Sequence, residues 1–439
     1  MIMIQNEKLR DLIKDQYSLE ELHRLFAFLK DKGTFDFPAL HNGLFPAASA
    51  TSPYEYSGYQ NVWVRDNVYI AYAHYINDHM QPALSAMCTL AEYFKKHKLR
   101  FENIINAKAD ANQPMNRPHV RFNGEDLEEL DQRWAHAQND ALGYFLWLFC
   151  KLCNVKALDP SSSIMELLAL FPLYFEAIGY WQDEDSGHWE ETRKIEASSI
   201  GVVSAGLKEL QQLLAAHPAA EFCRYRNTLV TADWVGQVME KGFSALDKIL
   251  PNECIQPGPL KQRSHDAALL FLIFPAEIVN TETADTIVAN VIHHLQGDYG
   301  IRRYLGDSFW APDYKQKLPP KARTEDFSED QGKRDRLLQA GQEAQWCLFD
   351  PIISIIFGQK YQQHDSEVFL QQQIQYFNRS LGQLTASDSP YGELKCPELY
   401  YLEQGKRVPN DSTPLLWTQA NLWMAWHFME KSLAASKLK

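Results

Sequence analysis

The sequence predicts an all-α fold built from paired helices. Apolar residues recur with helical spacing along most of the 439 residues, and segments with the alternating pattern of strands are few. The first helix is expected after Ser18, because a serine followed three residues later by Glu21 forms a capping box ahead of an apolar stripe. Further helices are expected at 66–78, 81–98, 137–153, 163–179, 197–215, 228–248, 264–275, 282–296, 341–357, 366–380 and 416–435.

The loops between these helices hold most of the aromatic and acidic residues. They are expected at 42–62, 108–133, 181–195, 298–335 and 383–414. Helices that alternate with such loops suggest helical hairpins in a ring, with one set of loops building a pocket, although the same periodicity fits an open helical solenoid. The charged stretch from Leu305 to Leu338 is long enough to be functional or mobile. Since no linker-like segment divides the chain, residues 1–439 are expected to form a single domain.

Composition narrows the classes of partner. The net charge of −13 argues against nucleic acid or an anionic membrane surface as the main partner, because both attract Lys and Arg. The histidines and acidic residues lack metal-site spacing and no phosphate-binding glycine loop is present, so neither a metal nor another cofactor is expected. Seven scattered cysteines do not form a disulfide framework, and the N-terminus lacks the pattern of a signal peptide. A cytoplasmic protein is therefore expected, with signal-independent secretion left open and the oligomeric state unknown.

The segment Gly187-His-Trp-Glu-Glu191 places two carboxylates beside an indole. Cleavage of a glycosidic bond uses two carboxyl groups, one to protonate the leaving oxygen and one to activate water or attack the anomeric carbon. Glu190 is the better candidate for the acid, because Trp189 can shield it from water and Glu191 adds a like charge, and both effects raise a carboxyl pKa. The alternative is that both glutamates merely belong to an acidic surface turn.

Other residues could complete a sugar site. Arg65 and Asp66, after Trp63, offer a rigid donor and an acceptor for sugar hydroxyls, or else a simple charge pair at a helix start. Trp134 could stack on a sugar ring or pack in the core. Arg303 could hold hydroxyls or pair with Asp307.

A second carboxylate is expected in the loop that precedes the last helix. Glu398 follows Pro397 and precedes Leu399-Tyr400-Tyr401, and the helix that closes the chain contains Trp417. As a base, this carboxylate must stay ionised and face a bound water. Glu403 is the rival for the same role.

The motifs occur in an order that resembles the glucoamylase family (glycoside hydrolase family 15), and more closely the glucoamylase-like region of phosphorylase kinase alpha and beta subunits. The matching segments run from residue 42 to about 420: Asn42-Gly-Leu-Phe-Pro-Ala-Ala48, Tyr59-Gln-Asn-Val-Trp-Val-Arg-Asp-Asn-Val-Tyr69, Arg133-Trp-Ala-His-Ala-Gln-Asn-Asp140, Gly187-His-Trp-Glu190, Glu196-Ala-Ser-Ser-Ile-Gly201, Leu295-Gln-Gly-Asp-Tyr-Gly-Ile-Arg-Arg-Tyr304, Glu343-Ala-Gln-Trp-Cys-Leu-Phe349, Pro397-Glu-Leu-Tyr400 and Leu416-Trp-Thr-Gln-Ala420. Like the glucoamylases, and unlike the kinase subunits, this chain follows Trp-Glu with a second Glu. The resemblance implies an (α/α)6 barrel, a six-hairpin toroid, with no room for an accessory carbohydrate-binding domain.

The resemblance also implies roles for individual residues. Glu190 would be the general acid and Glu398 the general base of an inverting hydrolysis. The residues expected to bind substrate are Tyr59, Trp63, Arg65, Asp66, Trp134, Trp189, Glu191, Arg303 and Trp417.

The implied activity is exo-hydrolysis of α-1,4-glucans such as glycogen, starch or maltooligosaccharides, with release of β-glucose from non-reducing ends. Two alternatives stay open. The protein could be a non-catalytic glucan sensor or regulatory protein, or a hydrolase of another α-glucoside such as trehalose or an α-1,6 glucan.

Overall fold

The computed structural model describes residues 3–48, 58–339 and 341–437. Its α-helices, numbered in chain order, are α1 (Leu19–Asp31), α2 (Val64–Ile76), α3 (Met80–Lys96), α4 (Leu99–Ile105), α5 (Asn139–Asn154), α6 (Ser162–Ile178), α7 (Ala197–Ala216), α8 (Ala232–Ile249), α9 (Thr281–Asn290), α10 (Tyr314–Lys317), α11 (Gln331–Asp335), α12 (Phe349–His364), α13 (Glu367–Gly382) and α14 (Leu416–Lys437). Its short strands are β1 (Val62–Trp63), β2 (Arg121–Asn123), β3 (Glu128–Glu129), β4 (Arg224–Tyr225), β5 (Thr228–Leu229), β6 (Cys254–Ile255), β7 (Gln262–Arg263), β8 (Gln345–Trp346), β9 (Leu399–Glu403) and β10 (Lys406–Pro409).

Six elements form a closed inner ring. In order around the ring they are α2, α5, α7, the 3₁₀ segment Ala267–Leu272, α12 and α14, and α14 packs back against α2. Each inner element has an outer partner: α3, α6, α8, α9, α13 and α1, in the same order. The contact between α14 and α2 excludes an open solenoid and confirms the predicted (α/α)6 barrel.

The inner elements are buried on nearly every side. In α5 the run Gly143–Cys150 is buried throughout, because α2 and α7 flank it in the ring and α6 covers it from outside. Small residues allow the closest approach: a Cβ on Gly206 of α7 would lie only 2.7 Å from the carbonyl oxygen of Gly143. Outer helices such as α1 and α8 bury one face only, as their amphipathic pattern predicts.

The predicted helices differ from the observed ones mainly around the fourth and fifth hairpins. The segment predicted as a helix at 264–275 contains the shorter 3₁₀ segment Ala267–Leu272, which ends just before Pro275. The helix predicted at 341–357 starts at Phe349 instead, because Gln345–Trp346 pairs as a strand with β9. The helix predicted at 282–296 is α9 continued by a π-helical turn, Val291–Leu295. Apolar periodicity alone does not distinguish these conformations.

Two small antiparallel sheets lie at the pocket end of the barrel and position residues there. In the sheet β1–β2–β3, Trp63 pairs directly with Arg121. In the sheet β10–β9–β8, Leu399 pairs with Trp346 and so fixes the start of β9, next to Glu398. Within the described ranges, no helix is long and apolar enough to cross a membrane.

Candidate active site

A pocket lies at the end of the barrel where the inner elements begin. Its lining comes from the first turns of α2 and α14 and from the segments that precede α5, α7 and α12. The pocket encloses about 780 Å³, part of which is open to solvent. It is lined by Ala47, Tyr59, Trp63, Arg65, Asp66, Trp134, His188, Trp189, Glu190, Arg303, Phe309, Thr324, Glu325, Asp326, Arg334, Trp346, Glu398, Leu415 and Trp417.

Glu190 follows a strained turn. The 3₁₀ turn Gly187–Trp189 ends at Glu190, whose φ of 57° lies in the left-handed region that non-glycine residues rarely adopt. Gly187 is also left-handed, with φ of 53°, and a Cβ there would come within 1.4 Å of the Glu196 carboxylate. Strain of this kind is found where the surrounding structure fixes a functional group, and here it directs the Glu190 side chain into the pocket.

Two donors hold one oxygen of Glu190. Its Oε1 accepts hydrogen bonds from Trp63 Nε1 at 2.9 Å and from Gln138 Nε2 at 3.1 Å. Burial raises the pKa of Glu190 above its ordinary value, against the lowering effect of Arg65, of Arg121 and of the two donors. The expected high proton affinity is therefore present, but burial causes it rather than a like charge on Glu191.

Glu398 is held through both oxygens. Tyr59 donates its hydroxyl to Oε1 at 2.9 Å, and Asn410 Nδ2 donates to Oε2. Burial raises the pKa of Glu398 to about 7, although these two donors stabilise the ionised form. Its sequence rival Glu403 lies at the far end of β9, where it accepts a hydrogen bond from Tyr401, and it does not line the pocket.

Arg65 and Asp66 open α2, but they do not pair with each other as a helix-start charge pair would. Arg65 is fixed by Asp140 Oδ2 at 2.6 Å, by Gln138 Oε1 at 2.8 Å and by the carbonyl of Gly187. Asp66 lines the pocket, and burial raises its pKa to about 7. The arginine is thus locked before any ligand arrives, and the carboxyl of Asp66 faces the cavity.

Glu191 lies behind the pocket wall rather than on it. Its Oε1 accepts hydrogen bonds from Tyr304 Oη at 2.6 Å, from Arg334 Nη2 at 2.8 Å and from Arg303 Nη2 at 3.1 Å, while Arg263 contacts Oε2 at 3.3 Å. Burial alone would raise the pKa of Glu191, but the three guanidiniums outweigh burial and hold it well below its ordinary range. These arginines offset the negative charge of Glu191. Glu191 therefore does not act on Glu190 as the like charge that the sequence predicted.

Arg303 makes the predicted pair with Asp307, and its predicted contact with sugar hydroxyls stays a prediction. It pairs with Asp307 at 2.6 and 2.7 Å and also lines the pocket. Its guanidinium lies 4.7 Å from the ring centre of Trp346, so an aromatic face also supports it.

The expected aromatic residues surround the cavity. Trp189 donates its Nε1 to Asp266 at 2.9 Å, which fixes the indole in the wall. The buried Nε1 atoms of Trp134, Trp346 and Trp417 have no hydrogen-bond partner among the described residues. Unpaired buried donors are uncommon, and donors in the wall of a pocket can be satisfied by a polar ligand.

Several pocket residues escaped the sequence reasoning. The long loop after Arg303 contributes Phe309, the segment Thr324–Asp326 and Arg334, and the strand β8 contributes Trp346. The length and charge of that loop were the available signal, but no local pattern tells which of its side chains turn inward. Among the described residues no group of histidine, cysteine or acidic side chains could hold a metal ion.

Comparison with known proteins places this architecture in a family. Glycosyl hydrolases family 15 matches residues 32–421 of the chain. A solved glycosidase in complex with glucose superposes with a TM-score of 0.64 at 16% identity and covers 95% of this chain and 99% of that one. The glucoamylase from Saccharomycopsis fibuligera superposes with a TM-score of 0.58 at 12% identity over 96% of this chain and 97% of that one.

Curated relatives include regulatory proteins. The probable phosphorylase b kinase regulatory subunit alpha of Caenorhabditis elegans is 25% identical over 405 residues, which are 82% of this chain and 30% of that protein. The uncharacterized lipoprotein YgeQ of Escherichia coli is 26% identical over 206 residues, which are 42% of this chain and 78% of that protein. This chain therefore spans less than a third of the kinase subunit's length. With the family match over residues 32–421 and the closed ring of hairpins, the chain belongs to glycosyl hydrolases family 15.

Proposed function

We propose that this protein is an exo-acting glycoside hydrolase that releases β-glucose from the non-reducing ends of α-1,4-glucans with inversion. The observation that carries the proposal is the pair Glu190 and Glu398, two buried carboxyls in one pocket, each oriented by its own donors. In this mechanism Glu190 protonates the glycosidic oxygen, and Glu398 removes a proton from the water that attacks the anomeric carbon from the opposite face.

The hydrogen bonds support this division of labour. Because Oε1 of Glu190 already accepts two hydrogen bonds, its proton belongs on Oε2, which has no partner among the described residues. Both oxygens of Glu398 accept hydrogen bonds, and this favours the ionised form that a base needs. An inverting reaction requires room for a water molecule, so we expect the two carboxyl groups to lie about 6.5–9.5 Å apart.

The rest of the pocket suits a neutral sugar. Asp66 can accept hydroxyl hydrogen bonds, the pre-fixed guanidiniums of Arg65 and Arg303 can donate them, and the indoles of Trp134 and Trp417 contribute apolar surface to the pocket wall. Glu191, expected to bind sugar, would act here by holding Arg303 and Arg334 in the wall.

The decisive experiment is proton NMR of the anomeric signals during the first minutes with maltoheptaose. Fresh β-glucose establishes exo-hydrolysis with inversion, whereas fresh α-glucose rules out the assigned roles. Glu190→Gln keeps the shape of the side chain and removes its proton, so we expect activity to fall by about 10²–10⁴-fold. Glu403→Gln, outside the pocket, is the matched control and should keep full activity.

A glucan-binding regulatory role is the second candidate. The observation in its favour is the similarity to kinase regulatory subunits over 82% of this chain. This role predicts saturable binding of maltoheptaose by calorimetry with no glucose release. Turnover that disappears in Glu190→Gln would exclude it.

Another α-glucoside is the third candidate, because pocket shape and not the carboxylate pair sets linkage preference. Parallel rates with maltose, isomaltose and trehalose separate these substrates. A rate on trehalose or isomaltose well above the rate on maltose would replace the α-1,4 assignment.

A further inference from the structure

Arg121 is a buried cation for which the described part of the chain offers no ion pair. Only 3% of this residue is exposed, and no carboxylate lies within ion-pair distance among the described residues. Within the described ranges its side chain makes one hydrogen bond, from Nη1 to Gln132 Oε1 at 3.0 Å, and its Nε has no partner there. Burying a guanidinium in this way is costly, because the charge loses its hydration without gaining a counter-charge. Burial accordingly lowers the pKa of Arg121 to about 10.

Aromatic faces take the place of the missing carboxylate. The guanidinium carbon lies 3.9 Å from the ring centre of Trp134 and 4.8 Å from that of Trp63. The antiparallel register pairs Arg121 directly with Trp63, so the two side chains project from the same face of the sheet. Gly58 closes the outer side, since a Cβ there would lie 2.4 Å from Arg121 Nη2. The guanidinium therefore lies between the backbone at Gly58 and the indoles of Trp63 and Trp134.

Trp63, one of these two indoles, also contacts Glu190, the proposed proton donor. Trp63 donates its Nε1 to Glu190 Oε1, and Trp63 and Trp134 meet edge to face with ring centres 6.1 Å apart. Arg121 does not line the pocket itself, so it reaches Glu190 only through the indoles and through its charge. The charged and titratable groups around Glu190 include Arg65 and Asp66 of α2, Arg121 of β2 and Tyr59, and the same pocket is also lined by Glu398, Arg303, Arg334, Glu325 and Asp326.

Arg65 and Arg121 both lower the pKa of Glu190, and Arg65 has the larger effect. Arg65 is paired with the buried Asp140 at 2.6 Å, which offsets much of its charge. Arg121 has no carboxylate partner among the described residues, although Glu190 and Asp326 act on it through space. We propose that Arg121 is a positioning residue of this site: it holds the indoles of Trp63 and Trp134 in place and, together with Arg65, supplies positive charge beside Glu190.

This inference rests on the proposed function, but its test does not require the protein to cleave a substrate. The titration of Glu190 is followed by ¹³C NMR of protein labelled at the glutamate carboxyl carbons, with the resonance assigned by its disappearance in Glu190→Gln. In Arg121→Gln, which removes the charge, we expect the titration midpoint of Glu190 to rise by about 1 pH unit. In Arg121→Lys, which keeps the charge, the midpoint should stay close to that of the wild type.

The positioning role is tested separately by glucose affinity in a calorimeter. Both variants lose the planar stack on the two indoles, so both should bind glucose about 3- to 10-fold more weakly. An unchanged midpoint in Arg121→Gln overturns the electrostatic role, and unchanged glucose affinity in Arg121→Lys overturns the positioning role. If the wild type neither binds nor cleaves any glucan, the proposed function fails, while the Glu190 titration still decides whether Arg121 controls that carboxyl.

Discussion

At the scale of single residues, the two central carboxyls are set apart from surface glutamates by burial. Burial raises the pKa of Glu190 and brings that of Glu398 to about 7, while the neighbouring Glu191 moves in the opposite direction because three arginines surround it. Glu190 and Glu191 are adjacent and chemically identical, so their different behaviour comes only from the side chains that surround each one. One dipeptide thus contains both the proposed proton donor and a salt-bridged carboxylate behind the pocket wall.

The raised pKa of Glu398 has a consequence for stability. The folded chain binds this proton more tightly, with a pKa of about 7, than an exposed glutamate with its ordinary value of 4.5. The free energy of unfolding therefore falls as the pH rises from about 4.5 to about 7, by on the order of 3 kcal/mol for this one group. Glu398→Gln removes the loss, so the stability of the variant relative to wild type should grow between pH 4.5 and pH 7.5.

Urea unfolding at several pH values measures this effect. The difference in free energy of unfolding between Glu398→Gln and wild type should rise with pH and level off above pH 7. Glu403→Gln, which changes a half-buried glutamate on the same strand, is measured alongside as the control for removing a carboxylate there. A difference for Glu398→Gln that does not change with pH would contradict the assignment of a raised pKa to Glu398.

At the scale of elements, the turn Gly187–Trp189 connects sequence to chemistry. Its glycine adopts a left-handed backbone directly against Glu196, and this conformation presents Glu190 to the pocket. Gly187→Ala should lower the free energy of unfolding by about 2–4 kcal/mol, since strain and a steric clash add, and should reduce activity with it. Gly405→Ala is the matched control: its φ of 76° carries similar strain, but nothing lies within 4 Å of the added Cβ.

Chemical denaturation and glucose release are measured for both glycine variants. The control should lose about 1 kcal/mol and keep full activity. Equal losses in the two variants would mean that backbone strain, and not the contact with Glu196, governs the turn.

The ion pair between Arg334 and Glu191 fixes the short helix α11 to the rest of the barrel. Arg334 donates to Glu191 at 2.8 Å and to Ser308 Oγ at 2.9 Å, while Gln331 donates to Tyr304 at 3.3 Å. Because a buried charge left without its partner is costly, Arg334→Gln should weaken sugar binding by about 10-fold and speed proteolysis within 305–338. Lys333→Gln, on the exposed side of the same helix, should change neither.

Limited proteolysis and calorimetry with glucose distinguish these two variants. If Arg334→Gln protected the segment or left the affinity unchanged, α11 would not depend on the ion pair with Glu191.

At the scale of the whole molecule, the closed ring requires close helix contacts. α5 and α7 approach through Gly143 and Gly206, where a Cβ on Gly206 would meet a backbone carbonyl that cannot move aside. Gly206→Ala should therefore destabilise the protein by about 1–3 kcal/mol despite the better helix propensity of alanine. Gly236→Ala on the outer helix α8 meets only the movable side chain of Gln211 and should be neutral or slightly stabilising.

Thermal unfolding followed by circular dichroism measures both effects. A lower Tm for Gly206→Ala but not for Gly236→Ala supports inner-ring packing as the limiting contact. The reverse order would place the limiting contact in the outer layer.

The sequence by itself determined most of the helices and many of the pocket residues. Apolar spacing and a capping box predicted helices such as α1, and all the expected substrate-binding side chains except Glu191 line the cavity. Only the tertiary structure decided that the hairpins close into a ring, that Arg65 pairs with Asp140, and that Glu191 turns away from the pocket. The partners of Glu191 lie between 72 and 143 residues away in the chain. The physical reason is range. Helical periodicity depends on residues a few positions apart, whereas the orientation of a buried charged side chain depends on groups that only the packed fold brings together.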